Sequence, residues 1–169
     1  MNVIWFNGPS ARQFLDMPAQ TLEIGCNFIE RHRRVHHVCA YDRECIQRLP
    51  ITEGVGYWTR KAMITPQFQL VPGDVKYSCS GTMAIRLACH LGAQRIYVIG
   101  CDWQHTNDSI YDSAYSWRSG KPRKYTLSRR DTMVRTAQEI ELVLVSDREV
   151  SYAGVQTIGI KDFFKLIKN

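Results

Sequence analysis

Ser80, Gly81 and Asp102 lie at the ends of one segment, residues 78–102, and their side chains and backbone could bind a ligand. The hydroxyl of Ser80 is suited to cap a helix, and apolar residues at helical spacing follow it. Residues 95–100, RIYVIG, are typical of a strand buried on both faces. Because ligands of parallel sheets bind outside the carboxyl ends of the strands, the segment predicts a site near these three residues.

A second polar turn, Asn7-Gly8-Pro9-Ser10, follows the apolar residues 3–6. Gly8 permits close approach of the backbone to a ligand, and Pro9 is suited to open a helix. The free amides of such a helix start attract phosphate. A plain strand–turn–helix connection explains the same residues. The turn matches neither the G-x-G-x-x-G fingerprint nor a Walker loop, either of which would favour phosphate binding. The phosphate-binding turn and the plain connection therefore both stay open.

Two more polar residues, Asn27 and Asp42, end the predicted strands at 21–27 and 38–42. Strand ends meet at one edge of a parallel sheet, so short polar side chains and backbone amides are predicted to converge there on an anionic ligand. Between the two strands, residues 31–37 hold three arginines and three histidines. A zinc site would need a helix to bring the histidines together, so we expect a solvated or anion-facing turn and no metal.

A long polar stretch, residues 104–125, carries Tyr111, Tyr115 and Trp117. A loop of about twenty residues in a compact domain is usually functional or disordered. The aromatic residues favour an ordered lid over a ligand.

Basic residues are densest where this loop meets the next predicted helix: Arg118, Lys121, Arg123, Lys124, Arg129, Arg130 and Arg135. The helix dipole adds to the positive potential there. The stretch is either a solvated face or a surface that contacts a phosphate-bearing ligand or nucleic acid. Arg123, Lys124 and Arg129 are the candidates that would face a phosphate.

Strands and helices alternate along the rest of the chain. Strands are predicted at 3–6, 21–27, 38–42, 57–64, 95–100 and 150–158, helices after Ser10 and at 43–49, 80–91, 128–145 and 161–168, and a loop at 65–74. Gly92 is the predicted left-handed C-cap of the central helix, and a capping box at Ser128 favours the helix that follows it. The pattern predicts an α/β fold: a single Rossmann-like domain, residues 1–169, with a mainly parallel sheet and helices on both faces.

Composition narrows the function classes. The net charge of +6 over 169 residues suits an anionic partner, such as a nucleotide or an acidic glycan, or a solvated basic surface. No apolar run approaches the roughly 18 residues of a membrane span, so we expect a cytoplasmic protein with no membrane partner. The six cysteines form no C-x-x-C pair and are expected to be buried free thiols.

Taken in order, the strand-end motifs FNGPS (6–10), CN (26–27), SG (80–81) and LGAQRIYVIGCDW (91–103) resemble the bacterial sialyltransferase family that uses CMP-sialic acid. They are equally similar to the related small proteins that include archaeal-type hydroxymethylpterin pyrophosphokinases. The resemblance spans residues 3–146. It implies a nucleotide-sugar substrate, CMP-linked, whose CMP portion is held by residues at these motifs: Asn7, Gly8, Asn27, Ser80 and Gly81.

The resemblance also implies catalytic candidates. Tyr111 matches one of two tyrosines that hydrogen-bond the departing phosphate in that family, and Gln104 stands in place of the other. Asp42 stands where the family has an asparagine near the nucleotide. The family's histidine base has no counterpart in residues 121–130, and His105 is the candidate substitute. Glycosyl transfer needs the acceptor proton removed, so a nucleotide pocket with weak or different chemistry stays open.

Three functions therefore remain. The first is a glycosyltransferase that moves a sugar from a nucleotide to an acidic acceptor. The second is a magnesium-dependent pyrophosphoryl transferase, for which Asp42, Asp102 and Asp108 are candidate acids. The third is a non-catalytic protein that binds a nucleotide or, through the basic stretch, a nucleic acid.

Overall fold

The computed structural model describes residues 1–60, 65–73, 79–101, 126–148 and 153–168, with side chains from residue 131 onward in the fourth range. The strands are β1 (Asn2–Trp5), β2 (Leu22–Cys26), β3 (His37–Cys39), β4 (Gly56–Thr59), β5 (Gln69–Leu70), β6 (Arg95–Ile99), β7 (Glu141–Val145) and β8 (Val155–Ile158). The helices are α1 (Arg43–Arg48), α2 (Ser80–His90), α3 (Thr126–Thr136) and α4 (Ile160–Leu166), with 3₁₀ helices at Pro9–Phe14 and Ile29–Arg31.

The described strands form one sheet in the order β5-β4-β3-β2-β1-β6-β7-β8. Every neighbouring pair is parallel. The chain proceeds outward from β1 through β5 and then resumes at β6, on the other side of β1. This reversal places a topological switch point between β1 and β6, where ligands of such sheets bind. The predicted α/β class with a mainly parallel sheet is confirmed.

Helices cover both faces of the sheet. On one face Trp5 of β1 packs in the same core as Phe14 and Phe163. On the other face Ile4 of β1 packs in the core that contains Met83 of α2. Successive side chains of a strand point to opposite faces, so a strand covered on both sides is apolar throughout.

The central helix differs from its prediction at the first turn. Cys79 is the N-cap and forms a capping box with Thr82, so the predicted Ser80 cap is wrong. Ser80 is the first helical residue, and its hydroxyl instead bonds to groups at the strand ends. At the other end Gly92 has φ of +83°, which confirms the predicted left-handed C-cap.

The predicted helix at 128–145 is wrong in its second half. Residues 141–145, ELVLV, form β7 between β6 and β8, and their side chains alternate between the two cores. Ser128 lies within α3, which spans it, and is not an N-cap. A short apolar run fits either a helix or a buried strand by periodicity, and here the cover on both faces selects the strand.

The predicted loop at 65–74 also contains a strand. Gln69 and Leu70 pair with Trp58 and Thr59 of β4 and form the edge strand β5. Two exposed residues are too few to show the alternation that identifies a strand in sequence.

The basic turn at 31–37 is partly internal, so the expectation of a solvated or anion-facing turn is wrong for Arg33. Its guanidinium forms a bidentate ion pair with Glu23, at 2.6 and 2.7 Å. Their side chains are 8% and 2% exposed, respectively. The charge of Arg33 therefore balances a buried carboxylate of β2.

Among the described helices, none combines the length and the apolar character that crossing a bilayer requires.

Candidate functional site

Asn27 and Ser80 meet at the carboxyl edge of the sheet. Asn27 directly follows β2, and Ser80 opens α2. The Ser80 hydroxyl donates to Asn27 Oδ1 at 2.8 Å and accepts the backbone N–H of Tyr41 at 3.0 Å. Asn27 is 2% exposed and Ser80 is 5% exposed. One buried hydroxyl thus joins the ends of β2 and β3 to the start of the helix.

Asn27 is the one described non-glycine residue with a positive φ, +56°. Asparagine tolerates this left-handed conformation better than most residues. Its backbone N–H donates to the Cys39 carbonyl at 3.0 Å, and its Oδ1 is taken by Ser80. Among the described residues, no group accepts a hydrogen bond from its Nδ2. This Nδ2 is not sealed from solvent, so it is suited to donate to a bound ligand or water.

The first turn of α2 presents backbone donors beside Asn27. The Cys79 cap takes the N–H of Thr82, and the Met83 N–H bonds to the Cys79 carbonyl at 3.2 Å. The N–H groups of Ser80 and Gly81 have no acceptor in the part of the chain that the structure describes. A helix N-terminus carries roughly half a positive charge, so these donors are suited to an oxyanion.

Gly81 also has a packing role. A Cβ at this position would lie 2.3 Å from Cζ of Phe6, the half-buried residue that follows β1. Gly100, after β6, has φ of +73°, and its Cβ would lie 2.7 Å from the Phe6 carbonyl oxygen. The Phe6 ring lies against the start of α2, so a side chain at position 81 would displace that ring whichever ligand binds.

The turn at Asn7, Gly8, Pro9 and Ser10 is half-buried and follows β1. Pro9 opens a helix as predicted, although the helix is a 3₁₀ helix. The Gly8 N–H donates to the Gly100 carbonyl at 2.8 Å. That amide holds the exit of β1 against the exit of β6, which is the role of a strand–turn–helix connection.

Asp42 is half-buried and occupies the N-cap position of α1. Tyr41 precedes Asp42, and Arg60 contacts Tyr41; neither was predicted as a site residue. Arg60 directly follows β4, and its Nε donates to the Tyr41 carbonyl at 3.3 Å. Its guanidinium carbon lies 4.5 Å from the centre of the Tyr41 ring. The strand was predicted at 57–64 and so ran through Arg60, which is why the sequence did not mark this arginine as a strand-end residue.

The other predicted site residues lie outside the described part of the chain: Asp102, Gln104, His105, Tyr111, Arg123 and Lys124. Arg129 lies on the backbone of α3, and its side chain is likewise outside that part. The lid at 104–125 remains a prediction.

All six cysteines are free thiols, and four of them are buried as predicted: Cys26, Cys39, Cys45 and Cys101. Burial raises the pKa of the Cys39 thiol far above its usual range, so it stays protonated at the centre of the sheet. Burial also raises the pKa of the half-buried Cys89. Within the described ranges, no three histidine, cysteine or acidic side chains are grouped closely enough to hold a metal ion.

The chain matches no protein-family model, no curated protein and no solved structure.

Proposed function

We propose that the chain binds a nucleotide at the carboxyl edge of its sheet and is a glycosyltransferase-like protein that uses a nucleotide sugar, CMP-linked in the first instance. The observation that carries this proposal is the buried Asn27–Ser80 pair at the start of α2. Three hydrogen-bond donors lie at this pair: the Asn27 Nδ2 and the backbone N–H groups of Ser80 and Gly81. None of the three has an acceptor among the described residues. Phosphate oxygens are suited to such a set of donors.

The choice of a nucleotide sugar over a free anion rests on the resemblance of the strand-end residues to the CMP-sialic-acid-dependent family. In this proposal Asn7, Gly8, Asn27, Ser80 and Gly81 bind the CMP portion. Breaking the bond between the sugar and the phosphate leaves negative charge on the phosphate, which must be stabilised.

The proposal assigns that stabilisation to residues of the predicted lid and basic stretch. Tyr111 would donate to the departing phosphate, and Arg123, Lys124 or Arg129 would supply positive charge. Gln104 would join Tyr111 at the departing phosphate, and His105 is the proposed candidate that removes the acceptor hydroxyl proton.

A thermal-shift screen tests the proposal. The chain is heated alone and with CMP, UMP, GDP or ATP, each with and without magnesium. Binding to the folded state raises the Tm by mass action, and we expect CMP to give the largest magnesium-independent rise. A rise confined to ATP with magnesium, together with release of AMP, would favour the pyrophosphoryl transferase. The absence of any nucleotide-dependent rise would refute nucleotide binding.

A matched pair of serine variants assigns the binding to this edge. Ser80→Ala removes the hydroxyl that orients Asn27, and we expect CMP to bind about fivefold more weakly or worse. Ser146→Ala is the control, because the Ser146 hydroxyl also accepts a backbone N–H, that of Arg148, just after β7. Equal weakening by both variants would argue against a site at Ser80.

A further inference from the structure

Arg60 presents a cation in a held orientation at the carboxyl edge. Its Nε donates to the Tyr41 carbonyl, and its guanidinium lies over the Tyr41 ring. In the described part of the chain, no carboxylate pairs with Arg60 and no group accepts from its two terminal nitrogens. Those two nitrogens form the planar fork that binds carboxylate or phosphate through two parallel hydrogen bonds.

Tyr41 connects this fork to the site already described. Its backbone N–H donates to the Ser80 hydroxyl at 3.0 Å, while its carbonyl accepts from Arg60 at 3.3 Å. Backbone geometry then keeps Ser80 Oγ and Arg60 Nε within about 10 Å of each other. The Tyr41 side chain packs against the core that contains α2, so the guanidinium lies on the same side of the sheet as that helix.

We propose that Arg60 is a ligand-binding residue of this edge, that it takes an oxyanion of the bound nucleotide, and that Tyr41 is its positioning residue. The inference rests on the proposed function, because it assigns Arg60 to the same ligand as Asn27 and Ser80. The two contacts with Tyr41 restrict the guanidinium before the ligand arrives. Less conformational entropy is therefore lost on binding than with a free arginine.

Calorimetric titration of arginine variants tests the proposal. The probes are inorganic pyrophosphate, cytidine, CMP and CMP-sialic acid, each added to the wild-type chain, Arg60→Gln and Arg31→Gln. Arg31 is the matched control, because its guanidinium carbon also lies 4.5 Å from an aromatic ring centre, that of Phe28, and it is exposed. Both substitutions remove one positive charge from a stacked arginine.

We expect Arg60→Gln to raise the Kd for pyrophosphate and for at least one charged nucleotide about tenfold to a hundredfold. Cytidine should bind both variants equally, and Arg31→Gln should change each Kd by less than about twofold. A higher Kd of Arg60→Gln for CMP assigns the two terminal nitrogens of Arg60 to the phosphate. A higher Kd for CMP-sialic acid but not for CMP assigns them to the sugar carboxylate.

The other outcomes separate this inference from the proposed function. If the charged probes bind Arg60→Gln as tightly as wild type, the role of Arg60 is overturned and nucleotide binding stands. If pyrophosphate binding depends on Arg60 but no nucleotide binds, the nucleotide proposal fails and the oxyanion role of Arg60 stands. If wild type binds none of the probes, both are overturned.

Tyr41 variants test the positioning role. Tyr41→Phe keeps the ring beneath the guanidinium and should keep the wild-type Kd for pyrophosphate. Tyr41→Leu removes the ring but keeps the backbone carbonyl and the Arg60 charge, so it should weaken binding by less than Arg60→Gln does. Wild-type affinity in Tyr41→Leu, with a thermal unfolding transition that shows a folded chain, would overturn that role.

Discussion

Replacing Arg33 with methionine removes the cation from a buried ion pair and keeps an apolar stem of similar length. In the wild-type chain the guanidinium makes two bonds to the Glu23 carboxylate. It also donates to the carbonyls of Leu15, Met17 and Pro18, at 2.7 to 3.1 Å. The substitution leaves the carboxylate buried without its cation, and it removes a donor from all three carbonyls.

The expected cost is large because the pair is almost fully buried. Removing one partner of a buried pair typically costs about 3–5 kcal/mol in the free energy of unfolding, most of it from the stranded charge. Glu23 keeps two donors, the Trp5 indole at 2.9 Å and the Gln20 N–H at 2.8 Å, so we expect the lower half of that range. For a chain of this size the Tm should fall by roughly 10 °C.

Urea unfolding of four chains measures this cost: wild type, Arg33→Met, Glu23→Gln with Arg33→Met, and Arg34→Met. Neutralising Glu23 removes the stranded charge, so the double variant should regain about 1–3 kcal/mol relative to Arg33→Met. Arg34 is the adjacent control. It is exposed and, within the described ranges, bonds to the Glu53 carbonyl alone, so its replacement should cost less than about 0.5 kcal/mol. Equal free energies of unfolding for Arg33→Met and Arg34→Met would show that the buried ion pair contributes no more stability than the exposed arginine.

Two further predictions concern packing and pH. Gly81→Ala places a Cβ against the Phe6 ring and should lower the free energy of unfolding by about 1–3 kcal/mol. Adding Phe6→Leu should recover part of that loss, and no recovery in urea unfolding would contradict the packing role of Gly81. Burial lowers the pKa of His37 below 6.5, and the charge of His36 lowers it further, while the His37 Nδ1 accepts the Trp58 indole N–H. The contribution of neutral His37 to the free energy of unfolding is therefore complete above pH 6.5. It is lost as pH falls through the lowered folded-state pKa, at no more than about 1.4 kcal/mol per pH unit. His37→Asn should flatten the decline in unfolding free energy between about pH 7 and pH 5, and an unchanged slope would contradict this assignment.

The fold was largely predictable because its signals are local. Residues 96–99, IYVI, are apolar and rich in β-branched side chains, and Gly92 marks the end of the helix before them, so strand and helix separate cleanly in sequence. The prediction at 141–145 failed for the opposite reason. The four apolar residues that follow Glu141 continue a helical stripe as well as they form a buried strand. Only the neighbouring strands β6 and β8 resolve that ambiguity.

The meeting of Asn27 and Ser80 at the carboxyl edge was predictable from the sequence, but the hydrogen bond between them was not. Asn27 and Ser80 were selected because they end a strand and open a helix, yet their hydrogen bond joins residues 53 positions apart. In the tertiary structure Ser80 does not cap the helix, and its hydroxyl instead joins Asn27 to the backbone of Tyr41. Arg33 and Arg60 show the same limit, because the carboxylate of Glu23 and the carbonyl of Tyr41 that hold them are distant in sequence.

The central claim is that the Asn27 Nδ2 and the start of α2 bind an oxyanion, and Asn27→Asp tests it most directly. Aspartate keeps an acceptor for the Ser80 hydroxyl and tolerates the left-handed backbone, but it replaces the amide donor with negative charge. Asn2→Asp is the control, because Asn2 donates to the Arg95 carbonyl at the opposite edge of the sheet. In calorimetric titration with CMP, we expect a Kd about a hundredfold higher or more for Asn27→Asp and little change for Asn2→Asp. Wild-type affinity in a folded Asn27→Asp chain would contradict it.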